Sequence, residues 1–341
     1  MKNTYQNKNS KKIIITTGDP AGIGTEIILK ALDKIESNLS KNIVLIGCKK
    51  NIYNTYDHLI SKSCKDIINP KDIEIIDMAM NTNVQFGKSS PDCGNASFNF
   101  LKRSINLVLN NQFRGLVTGP ISKYSWHQAN HIYDGQTELL AEVSKSNKPS
   151  MLFTAISPKS RWRFNTLLAT THIPLSEVPI KLNPDLIKSK LDALFEFCNK
   201  FNSQPKLLVA GINPHAGEGG KIGKDEENWL IPTLNEWRQK NPTAILSDPI
   251  PPDTCWLLAS KLWNNNNHKT YESLDGILGM YHDQALIPTK LIAFDYAVNT
   301  TLGIPFIRTS PDHGTAFDIA GEGIANPQSM IEAIKTAFEL T

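Results

Sequence analysis

From residue 11 onward, short β-branched runs alternate with longer amphipathic stretches: KKIIITTGD, a helical pattern over 25–35, NIVLIG, a further helical stretch, then DIEIID. The rhythm returns at FRGLVTG, at PKLLVAG after a helical pattern over 184–201, at LDGILGMY, and in a closing helix over 327–340. Strands apolar on every residue need cover on both faces, so the alternation predicts parallel strands joined by helical crossovers, an α/β fold with a mostly parallel sheet. Two adjacent strand-like runs, SMLFTAIS and RWRFNTLLATTH, depart from it. The Ser-Pro turn between them predicts a hairpin in mid-chain, and with it a second lobe. A chain of 341 residues has room for one large domain or two lobes.

Composition narrows the function classes. The net charge of +3 comes from 36 basic and 33 acidic residues spread along the chain, without the dense basic stripe of a nucleic-acid binder. Five cysteines, odd in number and without a CxxC pair, argue against a disulfide framework and against a cysteine zinc site, and fit a reducing cytosol. No apolar run approaches the ~20 residues that span a bilayer, and the polar opening MKNTYQNKNS reads as a frayed tail without a signal segment. No membrane partner is expected. NNNNH at 264–268 reads as the solvated end of a helix carrying Trp256 and Trp263.

Ligands of open α/β sheets bind at strand-ending loops, where backbone amides and helix N-termini point. Here those loops are dense in polar residues. The loop TTGDPAGIG lacks the GxGxxG spacing and contains a proline, so a tight strand-to-helix turn accounts for its glycines at least as well as a dinucleotide loop. Three histidines sit just past predicted strands: His172 in TTHIP, His215 in NPHAGEGG and His282 in MYHDQ. A lone loop histidine is more often solvated or capping, and separations of 43 and 67 residues match no local zinc motif. Their common place at one sheet edge, beside Asp253 and Asp283, raises the alternative of a catalytic divalent ion held by three neutral imidazoles. Lys290, Asn299 and Arg308 follow across a strand-like segment, while Gln136 and Thr137 open a helix. Each has an ordinary explanation, yet together they offer a phosphate pocket beside a helix N-terminus. His58, His127, His131 and His268 lie in amphipathic or polar stretches and receive no role.

The motifs GDPAGIG, TGPISK, TTHIPL, NPHAGEGG, PPDT, MYHDQ and GIPFIRTSPDHGTAFDIAG, in this order over nearly the whole chain, resemble the 4-hydroxythreonine-4-phosphate dehydrogenase family. The resemblance implies a two-lobed α/β/α fold similar to isocitrate and isopropylmalate dehydrogenases, with the active site in the interlobe cleft and at a homodimer interface. It implies that His172, His215 and His282 bind a divalent metal (zinc, magnesium or cobalt), one of them reaching across from the partner subunit. It places Gln136, Thr137, Lys290, Asn299 and Arg308 at the substrate positions. Asp253 and Asp283 are then candidates for proton acceptor or, preferably, for orienting a ligand histidine. The implied reaction is oxidation of 4-phosphooxy-L-threonine at C3 to a β-keto acid that loses carbon dioxide, in pyridoxal phosphate biosynthesis. Asp312, His313, Gly314, Thr315 and Asp318 fall in a segment similar to the adenine-side cofactor loop of the decarboxylating dehydrogenases. A carboxylate at Asp318 would accept from a ribose 2′-hydroxyl and repel a 2′-phosphate, favouring NAD over NADP.

One departure stands out. The family pattern has histidine before the threonine of GHTE, where this chain has Gln136. Glutamine cannot become cationic, which weakens the charge contribution to phosphate binding and leaves a threonate or erythronate phosphate as an alternative substrate. A metal-dependent hydrolase and a phospho-ligand binding protein are the rival classes; the cofactor-like loop argues against the first, and a bound metal would argue against the second. The expected lobes are 1–130 with 300–341, carrying the cofactor loop, and 131–299, carrying metal, substrate and dimer contacts.

Overall fold

The IIIT and IVLIG runs are buried along their whole length and form the first two strands, as their unbroken apolar character requires. The structure, a computed structural model, describes residues 12–80, 82–146, 149–265 and 273–341. In chain order the first part comprises β1 (Ile13–Thr16), α1 (Gly24–Lys34), α2 (Ser37–Ser40), β2 (Ile43–Gly47), α3 (Lys49–Ser61), β3 (Glu74–Asp77), α4 (Pro91–Leu109), β4 (Gly115–Thr118), α5 (Lys123–Gln128) and α6 (Gln136–Ser144). Then follow β5 (Ser150–Ile156), β6 (Arg163–Leu168), α7 (Val178–Lys181), α8 (Pro184–Asn199), β7 (Lys206–Ala210), α9 (Ile231–Lys240), β8 (Ile245–Ile250), α10 (Leu257–Asn264), β9 (Gly276–Gly279) and α11 (His282–Ala293). The chain closes with β10 (Val298–Leu302), β11 (Ile307–Pro311) and α12 (Gln328–Leu340).

Two compact units result, Met1–Pro149 with Val298–Thr341, and Ser150–Ala297. In the first, strands run in the order β3-β2-β1-β4-β11-β10, all parallel except β10, which pairs antiparallel with β11. One face is covered by α1 and α12, whose Ile27, Leu32, Ile331 and Ile334 pack on β1 and β2. The other is covered by α4, through Phe98, Leu101 and Ile105. In the second unit the order is β5-β6-β9-β7-β8. The expected hairpin is present as the antiparallel β5–β6 pair, with Leu152 opposite Leu167, and β6, β9, β7 and β8 are mutually parallel.

Helix starts follow local chemistry. The Ser90 hydroxyl accepts from the Cys93 amide at 3.2 Å and Asn183 Oδ1 from the Leu186 amide at 2.9 Å, each one residue before a proline at the first helical position. The first unit extends beyond residue 130 because α5 and α6 bury Trp126, Leu139 and Leu140 in the cluster that contains Phe98 and Leu116. Helix α10 ends at Asn264 with Trp263 buried inside it, and Trp256 immediately precedes it. Residues 266–268 of the NNNNH segment, and the first ten residues, lie outside the described residues. Among the described residues no helix is long and apolar enough to cross a membrane.

Candidate active site

Four neighbouring parallel strands of the second unit bring their C-terminal ends to one edge, and each carries one of the polar loops. His172 follows β6, His215 follows β7, Asp253 follows β8, and His282 with Asp283 opens α11 directly after β9. The loops after β6 and β9 are stitched together, since the Thr170 hydroxyl donates to the Met280 carbonyl at 2.8 Å and the Ala169 amide to the Gly279 carbonyl at 2.8 Å. The imidazoles of His172 and His282 consequently stand 5.6 Å apart, centroid to centroid, and inclined by 47°. With Tyr281, Asp283, Leu175 and Ile287 they line a pocket of about 490 Å³. His282 Nδ1 lies 2.7 Å from Asp283 Oδ1, so the carboxylate holds a proton on Nδ1 and leaves the Nε2 lone pair for a ligand.

His215 is held differently. It has φ +53°, followed by Ala216 at +51° and Glu218 at +46°, a run in the left-handed region that residues other than glycine rarely adopt. Glu226 over-determines this turn. Its buried carboxylate accepts from the Ile212 and Asn213 amides at 2.8 Å each and from Asn213 Nδ2 at 2.9 Å. Gln284, buried at the start of α11, donates to the Gly211 carbonyl at 2.8 Å and accepts from the Met280 amide at 2.6 Å, tying the His282 and His215 loops together. Neither Glu226 nor Gln284 stood out in the sequence, because their partners are backbone groups that no spacing reveals. Asp253 is exposed in its turn. Among the described residues no three His, Cys, Asp or Glu side chains are gathered as a metal-binding group. The structure thus pairs His172 with His282 and sets His215 on the adjacent strand end without closing the triad. The donors suit a divalent cation in kind: three imidazoles at one edge, one of them oriented by a carboxylate.

The first unit holds four of the expected substrate residues, Gln136, Thr137, Asn299 and Arg308. Arg308 on β11 is 3% exposed. Its Nε and Nη2 donate to Thr118 Oγ1 at 3.1 and 2.7 Å, its Nη1 to Thr301 Oγ1 at 3.1 Å, and its Nη2 to Gln136 Oε1 at 2.9 Å. All of these acceptors are neutral. Burial pushes the guanidinium down to about 9, against a smaller opposing effect of Glu138. A desolvated cation whose hydrogen bonds all go to neutral oxygens is a receptor for an anion. Since Thr301 pairs with Arg308 across the β10–β11 ladder, Asn299, two residues earlier, projects from the same face. Asn299 Oδ1 is buried and has no hydrogen-bond partner. Gln136 and Thr137 form the first turn of α6, where free amides favour negative charge. Both heteroatoms of the Gln136 side chain are engaged within the protein, because Nε2 donates to the Gly119 carbonyl at 3.0 Å while Oε1 accepts from Arg308. Lys290 lies in the second unit on helix α11, with Nζ 5.7 Å from the centroid of the Phe294 ring, and not on a strand. Pro288 inside that helix masked its periodicity.

The segment 312–318 lies against the GDPAGIG loop. A Cβ on Gly22 would meet the side chain and carbonyl of Thr315 at 2.9 Å, and the Ile23 amide donates to the Thr315 carbonyl at 3.0 Å. Gly18 has φ +74°, and a Cβ there would stand 2.2 Å from the Pro120 carbonyl oxygen. These glycines therefore serve close packing, and the packing partner of Gly22 is the cofactor-like segment itself. The Asp312 amide donates to Ser329 Oγ at 3.1 Å and His313 Nδ1 lies 3.1 Å from the Gly314 carbonyl, while Gly314 faces open space and Asp318 is exposed. His58, given no role from the sequence, reaches the Gly321 carbonyl with Nε2 at 2.9 Å and stacks near Phe86.

Residues 25–337 match the family model described as pyridoxal phosphate biosynthetic protein PdxA. The chain is 49% identical over 329 residues to the 4-hydroxythreonine-4-phosphate dehydrogenase of Synechococcus sp. (strain RCC307), covering 96% of this chain and 99% of that relative. A crystal structure of 4-hydroxythreonine-4-phosphate dehydrogenase from Klebsiella pneumoniae superposes with a TM-score of 0.78 at 31% identity, covering 97% of this chain and 99% of that one. Isocitrate dehydrogenase from Methylococcus capsulatus shares the fold, with a TM-score of 0.51 at 16% identity over 96% of this chain and 85% of that one. Sequence and fold agree, and the chain belongs to the PdxA family of pyridoxal phosphate biosynthetic proteins.

Proposed function

We propose that the chain oxidises 4-phosphooxy-L-threonine at C3 with a nicotinamide acceptor, giving 2-amino-3-oxo-4-phosphooxybutanoate, which loses carbon dioxide to leave 3-amino-2-oxopropyl phosphate. The observation that carries this reading is Arg308, a buried guanidinium satisfied only by neutral acceptors beside the first turn of α6. Such a group has use for a small dianion, and charge-assisted bonds to it contribute about 1.5–3 kcal/mol each. Arg308, Thr137, Asn299 and the amides of α6 bind the phosphate or carboxylate of the substrate. Gln136 fixes the Arg308 fork and the Gly119 loop, so it acts by orientation in place of charge.

His172, His215 and His282 would hold the cation, and Asp283 keeps the His282 imidazole in the tautomer that a cation requires. When bound, the cation supplies Lewis acidity that lowers the pKa of the C3 hydroxyl and polarises the new carbonyl, and nicotinamide supplies the hydride acceptor. Asp283 and Asp253 stand at the same strand edge as candidates for the hydroxyl proton; because Asp283 is committed to His282, orientation is its role. The segment Asp312, His313, Gly314, Thr315 and Asp318 takes the adenosine side of the dinucleotide. Exposed Asp318 selects NAD over NADP by accepting from a 2′-hydroxyl and repelling a 2′-phosphate.

A homodimer is supported by α11. Ile287, Leu291 and Phe294, spaced i, i+4 and i+7, present an apolar stripe that is 58%, 83% and 64% exposed, next to the His172 and His282 pocket. Covering each such side chain contributes about 1.5–3 kcal/mol, so a second copy is the occupant this face calls for. Five unpaired cysteines fit a reducing cytosol. The deciding assay follows reduced nicotinamide with 4-phosphooxy-L-threonine, threonate 4-phosphate and erythronate 4-phosphate, before and after chelation. Turnover of the first substrate, lost on chelation and restored by a divalent ion, is the expected result; chelator-insensitive turnover or preference for a threonate phosphate contradicts it.

A further inference from the structure

Helix α1 contains an ion pair that the activity does not obviously need. Glu26 and Lys30 are 1% and 8% exposed, and Lys30 Nζ reaches Glu26 Oε1 at 2.8 Å. Removing two charges from water costs more than their mutual attraction returns unless further bonds satisfy them, so a buried pair is weak evidence of stabilisation and prompts the question of what else it holds. Here every further bond goes to one segment. Lys30 Nζ donates to the Gly323 carbonyl at 2.7 Å and the Ala325 carbonyl at 3.0 Å, while Glu26 Oε1 accepts from the Ala325 amide at 2.9 Å. From α3, His58 Nε2 lies 2.9 Å from the Gly321 carbonyl, with its ring 4.9 Å from Phe86. Gly321 and Gly323 both adopt left-handed backbone, with φ +83° and +72°, so this stretch has little order of its own.

We propose that Glu26 and Lys30, assisted by His58, are positioning residues for the dinucleotide loop. They fix the far end of segment 312–325, whose near end is fixed by the Thr315 carbonyl to Ile23 and the Asp312 amide to Ser329. The loop between is thus presented in one conformation, and its ordering cost is met before the dinucleotide arrives. This rests on the assignment of 312–318 to the cofactor.

The test compares hydrogen exchange and kinetics of the full-length holoenzyme in two variants. Glu26→Gln with Lys30→Met removes both charges together, so no lone ion is left buried, and the side-chain amide introduced by the first substitution still accepts from the Ala325 amide. His58→Phe keeps the ring contact with Phe86 and deletes the bond to Gly321, with less risk to the fold. In the double variant, faster exchange confined to 319–327 and a rise in the KM for NAD of about tenfold are expected, with kcat and the KM for the phosphorylated substrate within about twofold. His58→Phe raises the KM for NAD about threefold, as expected for one of several anchors. An unchanged KM for NAD in both variants overturns the proposal, as does a rise in the substrate KM of equal size. Protection of 312–325 by NAD in the unmodified enzyme supports the assignment beneath it; absence of that protection removes assignment and proposal together.

Discussion

At the residue scale, function rests on groups whose surroundings leave one requirement unmet. Arg308 is the clearest. Its cation is buried among two threonines and a glutamine, so the apo protein bears a desolvation cost, which under the proposed function a substrate anion relieves. Replacing it by methionine (Arg308→Met) should leave the melting temperature of the apo protein unchanged or raised, because a buried charge without a bonded counter-ion is removed. The same change should raise the KM for the phosphorylated substrate by about a hundredfold, the loss of two charge-assisted bonds. Initial-rate kinetics and thermal unfolding, with and without substrate, check both statements; an unaltered KM contradicts them. The sign for pH follows from the same group. Its cation has its value pushed down by burial, so it is charged below about 9 and loses its hold on the anion above that. Gln136 adds no titration of its own. Substrate affinity should therefore be flat between about pH 7 and 8.5, after the second phosphate ionisation near 6 is complete, and fall above about 9. A step near 6.5 that persists with a sulfate-ester analogue, whose charge is constant over this range, would contradict this. At the other site, Asp283→Asn should weaken cation retention by about 10–100-fold, the size of effect found when a carboxylate that orients a ligand imidazole is lost.

At the element scale, β1 to β7 and β9 were legible as short apolar runs bounded by turn residues, the β5–β6 hairpin was legible from its Ser-Pro turn, and the polar, part-exposed β8, ILSDPI, was not read as a strand. Helix α11 was not legible either. It buries one face through Ala285, Leu286, Thr289 and Ala293, but Pro288 interrupts it and the exposed Ile287, Leu291 and neighbouring Phe294 make its outer face apolar too, so a solvated amphipathic pattern is absent and Lys290 read as part of a strand. The same exposed stripe makes the element informative. Leu291→Glu, at a position 83% exposed in a single chain, costs the fold little but places a charge in the middle of the face. It should convert a dimer into monomers in sedimentation experiments and lower turnover at least about tenfold, as a site completed by the partner requires. A variant that remains dimeric and fully active would remove α11 from the interface.

At the scale of the whole molecule, the chain distributes its chemistry between its units. The proposed cation ligands belong to Ser150–Ala297, and the proposed anion and dinucleotide residues, Lys290 excepted, to the other unit. The placement of His172, His215, His282 and Asp253 at consecutive strand ends was readable, since every parallel strand ends on the same edge. What holds them was not. Gln284 and the Glu26–Lys30 pair act on backbone groups far away in sequence, and Glu226 on two amides across the His215 turn, and such partners appear only when the chain is folded. The central claim is convergence of three imidazoles on one cation. X-ray absorption of the enzyme loaded with one equivalent of zinc measures it directly. Three imidazole nitrogens at about 2.0–2.1 Å are predicted, falling to two in His215→Ala with the fold intact. A shell of oxygens alone, or an imidazole count indifferent to that substitution, would contradict the account.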